Sequence, residues 1–118
     1  MTVQEIGKKL VDYIQKGEDL SAYNELFSNN AIAVEPRLPG FERVEGLENI
    51  RNKYTALSSA IQELKYREIS DVLLTAEKHI ALNIKLEALL KDGSTFKVDE
   101  ICLYEIEDGK IISEQFFY

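Results

Sequence analysis

Apolar residues recur at helical spacing over the first half of the chain and at alternate positions over most of the second half. The period changes once, and that change predicts the architecture. Thr2 and Glu5 form a T-x-x-E capping box, and Val3, Ile6, Leu10, Tyr13 and Ile14 follow on one helical stripe. Gly17 is placed to end that helix as its C′ residue. Asp19 is a candidate N-cap for a shorter second helix with Leu20, Tyr23, Leu26 and Phe27 on one side. Ala31–Val34 read as a short buried strand. A loop over 36–46 holds both prolines, and a third helix runs from about Leu47 to Ser59 with Leu47, Ile50, Tyr54 and Leu57 in one stripe.

The remainder reads as strands joined by hairpins. Asp92-Gly93 and Asp108-Gly109 are strong two-residue turn signals. Tight turns there place Lys91 opposite Ser94 and Glu107 opposite Lys110, hence Ile84 opposite Ile101 and Ile101 opposite Phe116. One sheet face then carries Ile80, Leu82, Ile84, Leu86, Ala88, Ile101, Leu103, Ile112, Phe116 and Tyr118, with the acids Asp99 and Glu114 among them. The other face carries His79, Asn83, Lys85, Glu87, Val98, Glu100, Cys102, Tyr104, Ser113, Gln115 and Phe117. A further strand over about Glu63–Thr75 adds Ile69, Asp71 and Leu73 to the apolar face if its turn is tight. Three helices followed by a long antiparallel sheet predict an α+β domain with the helices covering the apolar face.

Length and charge narrow the classes. The 118 residues fit a single domain, 1–118, and 45% apolar content predicts a globular one. A net charge of −7 disfavours nucleic-acid and anionic-membrane partners, which require clustered Lys and Arg. No apolar run approaches the ~20 residues of a transmembrane helix, and the first ten residues lack a signal-peptide core. With a single cysteine, Cys102, no internal disulfide forms, and a cytoplasmic location is expected. One His and one Cys make no zinc site, so neither metal nor cofactor is expected.

The candidate chemistry is acidic. Glu35 follows the first strand and precedes Pro36, so it either points into a pocket mouth or lies in the loop paired with Arg37. Asp99 and Glu114 either face the apolar side, where an isolated carboxylate is costly, or lie solvated on the opposite face after a one-residue slip. Tyr13, Tyr23, Tyr54 and Tyr118 either line a pocket or pack with their hydroxyls at its rim. His79 reads as a turn residue and Cys102 as packing on the outer face.

The stretches "KGEDLSAYNELFSNNAIAVEP", "VEGLENIRNKYTAL" and "YEIEDGKIISEQFFY" together resemble the nuclear transport factor 2-like superfamily, and within it the SnoaL-like, polyketide cyclase-like group. The resemblance covers nearly the whole chain. It implies a cone: a curved sheet wrapped around the helices, with a pocket at the wide end. It also implies acid–base chemistry such as isomerisation, dehydration or cyclisation in some members and plain binding in others. In ketosteroid isomerases of this fold, a proton-shuttling Asp precedes a Pro at the end of the first strand, and Glu35 in "VEP" falls on it. The Tyr and protonated Asp of that oxyanion hole fall near Leu10 and Ile101, so both are missing here. The expected site is therefore Glu35, Asp99 and Glu114 as acid–base groups, with Tyr13, Tyr54, Ile101, Leu103, Phe116 and Tyr118 lining a pocket for a small, largely apolar carbonyl compound. The alternative is a non-catalytic module that binds a ligand or a protein. Apolar residues on the outer face, and the habit of the superfamily, predict a homodimer through that face.

Overall fold

The computed structural model describes all 118 residues. Helix α1 (Val3–Gln15) starts at the expected capping box: Glu5 N–H donates to Thr2 Oγ1 and Thr2 N–H to Glu5 Oε1, both at 3.1 Å. It ends in a Schellman motif, with Glu18 N–H donating to the Tyr13 carbonyl (2.8 Å) and Gly17 N–H to that of Ile14 (3.1 Å). That turn needs φ +72° at Gly17, where a side chain would be strained. Helix α2 (Asp19–Leu26) follows at once. Asp19 is its first residue and makes no cap; its carboxylate is taken by Arg67.

Strand β1 (Phe27–Val34) is longer than expected, and β2 (Arg43–Glu45) forms inside the predicted loop. After α3 (Leu47–Ser59) come β3 (Ile61–Ile69), β4 (Leu73–Leu74), β5 (His79–Leu90), β6 (Thr95–Glu107) and β7 (Lys110–Phe117). The strands form one curved sheet in the order β2-β1-β7-β6-β5-β3, with β4 also on β5. The sheet is mixed rather than wholly antiparallel, because β1 runs parallel to β7. The helices fill the concave side. Ile6, Leu10, Leu26 and Ile50 meet Ile80 and Ile111 there in one core.

Two registers differ from expectation, and they nearly cancel. Ala88 pairs with Phe96 and Leu89 with Thr95, so the first Asp-Gly sits in a three-residue loop, Lys91-Asp92-Gly93. Gly93 takes the left-handed position at φ +91°, while Ser94 N–H and hydroxyl both donate to the Asp92 carboxylate. This one-residue difference turns β6 over. Asp99, Ile101 and Leu103 lie on the outer face, and Glu100, Cys102, Tyr104 and Ile106 face the helices. The second Asp-Gly is the expected two-residue turn, with Glu107 opposite Lys110. A bulge at Ile112 then lets Ile111 take the inward place expected for Ile112 and leaves Glu114, Phe116 and Tyr118 facing inward as expected. On the third strand Ile69 packs on the core, but the chain breaks step after it. Leu73 and Asp71 are exposed, and Val72 packs inward.

Candidate functional site

The inner face of the cone carries more charge than a closed core usually tolerates. Glu35 directly follows β1, its N–H bonded to the Glu42 carbonyl (2.9 Å), and only 8% of it is exposed. Its carboxylate accepts from Lys53 Nζ at 2.7 Å and from the Tyr118 hydroxyl at 2.7 Å. The ion pair is buried on both sides. Arg37, the partner considered for Glu35, instead donates to the Tyr118 main-chain oxygen (2.8 Å) and stacks over its ring. Lys53 was not expected inside. It lies one turn after Ile50 and nearly two after Leu47, in phase with them, and takes the inward place while Leu57 stays on the surface. Its ammonium sits 4.7 Å from the centre of the Phe116 ring, a cation–π geometry.

Two further carboxyls share this interior with a single ammonium. Glu114 is 2% exposed and stands beside Tyr104 on the next strand. Burial pushes its carboxyl up to about 8, against the pull of Lys53. Glu100 is pushed up to about 7, mainly by burial and then by the charge of Glu35, and its Oε1 accepts from the Cys102 thiol at 3.7 Å. Burial and the bond to Glu35 raise the Tyr118 hydroxyl as well.

Deeper in the cone, Tyr54, Tyr23, Phe27 and Tyr104 form a chain of edge-on contacts with centroids 4.9–6.3 Å apart. Beside them lies a cavity of about 20 Å³ lined by Leu10, Ala22, Tyr23, Phe27, Tyr104 and Glu114, among others. That is room for one water molecule. The cavity reaches Asp19, which holds Arg67 through two bonds of 2.8 and 3.1 Å.

The structure therefore brings together Glu35, Glu114, Phe116 and Tyr118, with Tyr54 at the edge of the aromatic chain. It does not bring in Asp99, which accepts from Asn83 on the outer face (2.8 Å), nor Ile101 and Leu103, turned outward with it. Tyr13 donates to Glu25 across the α1–α2 surface, away from the interior. Glu100, Cys102 and Tyr104 were missed because the register of β6 placed them outside. Lys53 was missed because a charged residue was not counted in an apolar stripe.

A curved sheet closed by three helices, with a carboxylate at the end of its first strand facing inward, defines an α+β cone fold. The chain belongs to the SnoaL-like domain family, whose model matches residues 1–118. Among solved structures it is similar to a protein of Mesorhizobium loti provisionally assigned as a SnoaL-like polyketide cyclase, with TM-score 0.92, 24% identity and all of both chains covered. It is also similar to a provisionally assigned isomerase of Bacillus subtilis (TM-score 0.76, 19% identity, 98% of this chain and 88% of that one). A third is a Catenulispora acidiphila protein with a ketosteroid isomerase-like fold, in complex with trimethylamine (TM-score 0.75, 17% identity, 100% and 87% covered). At these identities the likeness is one of fold. No curated protein matches the sequence. No helix is long and apolar enough to cross a membrane.

Proposed function

We propose that the cone interior is an acid–base site for a small, largely apolar carbonyl compound, acting by isomerisation, dehydration or cyclisation. The observation that carries this reading is the pairing of unlike carboxyls. Glu35 is ion-paired with Lys53 and suits the role of base, while Glu114 is buried without a cation and pushed up to about 8, so near neutral pH it keeps its proton. A base and a neutral carboxylic acid facing the same interior are what proton transfer beside a carbonyl requires. Glu114 would supply the neutral O–H donor absent at Leu10 and Ile101, while the Tyr118 hydroxyl, which donates to Glu35, orients the base. A thermal-shift screen with steroids, aromatic polyketides and short hydroxy-acids tests for a ligand. With the stabilising ketone, exchange of its α-protons should fall about 10²-fold in Glu35→Gln. No stabilisation by any class, or undiminished exchange in the variant, would overturn the reading.

The volume favours a second reading. Tyr23, Phe27 and Tyr104 fill the interior down to about 20 Å³, as a non-catalytic binding module or scaffold would. Thermal stabilisation separates a ligand site from a scaffold, and α-proton exchange separates catalysis from binding alone.

We further propose a cytoplasmic homodimer joined through the outer sheet face. Val98, Cys102, Tyr104 and Phe117 were the apolar residues expected there; of these only Phe117 is exposed on that face (53%), joined by Tyr66 (38%) and Ile101 (47%). Cys102 is unpaired and buried, as a reducing compartment permits. Ile101→Lys combined with Phe117→Lys should convert a dimer to a monomer in light scattering; a wild-type monomer at high micromolar concentration would refute the dimer.

A further inference from the structure

A second concavity lies outside the cone, between the C-terminal end of α1 and β3. It is an open groove of about 500 Å³. Its walls are Ile14, Gln15, Lys16, Leu64, Arg67 and Ile69, with Gly17 at one end. Three of these are apolar and two are cationic, and no carboxylate lines the groove. That is unexpected in a chain with 21 acidic and 14 basic residues. Leu64 stands 49% exposed beside it, on the part of the inner sheet face that the helices leave uncovered.

The two cations are unequally held. Lys16 has only Asp12, at 3.7 Å and with both side chains well exposed, a pairing of little strength. Arg67 is held by the Asp19 carboxylate and by the Ile14 carbonyl (3.3 Å), yet its Nε is buried with no partner. The fork of Nη1 and Nη2 onto a carboxylate supplied by its own chain is a seat for a planar anion, filled here by Asp19. Asp19 also borders the inner cavity, and Ile14 borders both spaces. The Asp19–Arg67 pair therefore stands between the outer groove and the cavity beside Glu114.

We propose that this groove binds a small amphipathic carboxylic acid. The apolar part of the ligand rests on Ile14, Leu64 and Ile69, and its carboxylate lies between Lys16 and Arg67 in place of Asp19. Release of Asp19 would then join the groove to the inner cavity. This last step rests on the acid–base reading of the interior; the groove site itself does not.

The test uses 1-naphthaleneacetate and its neutral isostere 1-naphthaleneacetamide, titrated calorimetrically into the full chain. The acid is expected to bind at least tenfold more tightly than the amide. Leu64→Glu, a change at a half-exposed position, should weaken the acid at least tenfold while the far-UV spectrum stays that of the wild type. Asp19→Asn removes the competing carboxylate and should tighten the acid severalfold. Equal binding of acid and amide, no binding of either at millimolar concentration, or an unchanged affinity in Leu64→Glu would each overturn the proposal. None of these readings involves Glu35 or proton exchange, so the groove can fail while the interior site stands, and the reverse.

Discussion

Lys53→Met should destabilise the fold by about 3–5 kcal/mol, read as a fall in the urea midpoint at pH 7. The change removes the ammonium 2.7 Å from Glu35 but leaves that carboxylate buried, with the Tyr118 hydroxyl as its one remaining side-chain partner. Glu100 and Glu114 stand in the same interior, and no second ammonium or guanidinium pairs with any of the three. Methionine matches the length of the lysine stem and keeps the contact with Phe116, so the loss reports charge rather than packing. Removing both partners, in Lys53→Met with Glu35→Leu, should recover most of the stability, because an apolar pair of similar volume does not carry the desolvation cost. A single variant within 1 kcal/mol of wild type would mean that water reaches the pair.

The second large effect is on pH dependence. The Glu114 carboxyl lies at about 8 in the fold, against 4.5 for an unperturbed glutamate, because burial disfavours its charge. Between those values the folded chain binds a proton that the unfolded chain has released. Its contribution to stability is complete below about pH 4.5 and is lost as the pH rises through about 8. Each such group gives a slope of up to about 1.4 kcal/mol per pH unit. Glu100, at about 7, adds to the slope over the lower part of the range. The surface acids Glu5, Glu25 and Asp92 are shifted the other way by their hydrogen bonds, so they act in acid solution and set the opposite limb. Stability should therefore peak near pH 5 and decline toward pH 9. Glu114→Gln has the same shape and no charge to expel. It should flatten most of that decline and be more stable than wild type at pH 9. An equally steep decline in the variant would place the titration elsewhere.

How much of this was legible in the sequence depended on the range of the interaction. The capping box at Thr2, the Gly17 stop, the three helices and the Asp108-Gly109 turn are written within a few neighbouring residues, and they appear where the pattern puts them. The inward aim of Glu35 was legible as one of two alternatives, from a strand ending against a proline. The order of elements and the markers along the chain were enough for the family. Tertiary structure decided the rest. Asp92-Gly93 can close a two- or a three-residue loop, and the choice exchanged Asp99, Ile101 and Leu103 for Glu100, Cys102 and Tyr104 on the inner face. The Ile112 bulge restored the parity of β7, and with it the place of Glu114. Lys53 and Arg67 became interior cations only because distant segments bring them carboxylates, Glu35 across 18 residues and Asp19 across 48. Local pattern determines which elements form, since helix and turn bonds close within a few residues. Which side chains share the interior follows from strand registers and long-range ion pairs, and a single inserted residue in a turn reverses an entire strand.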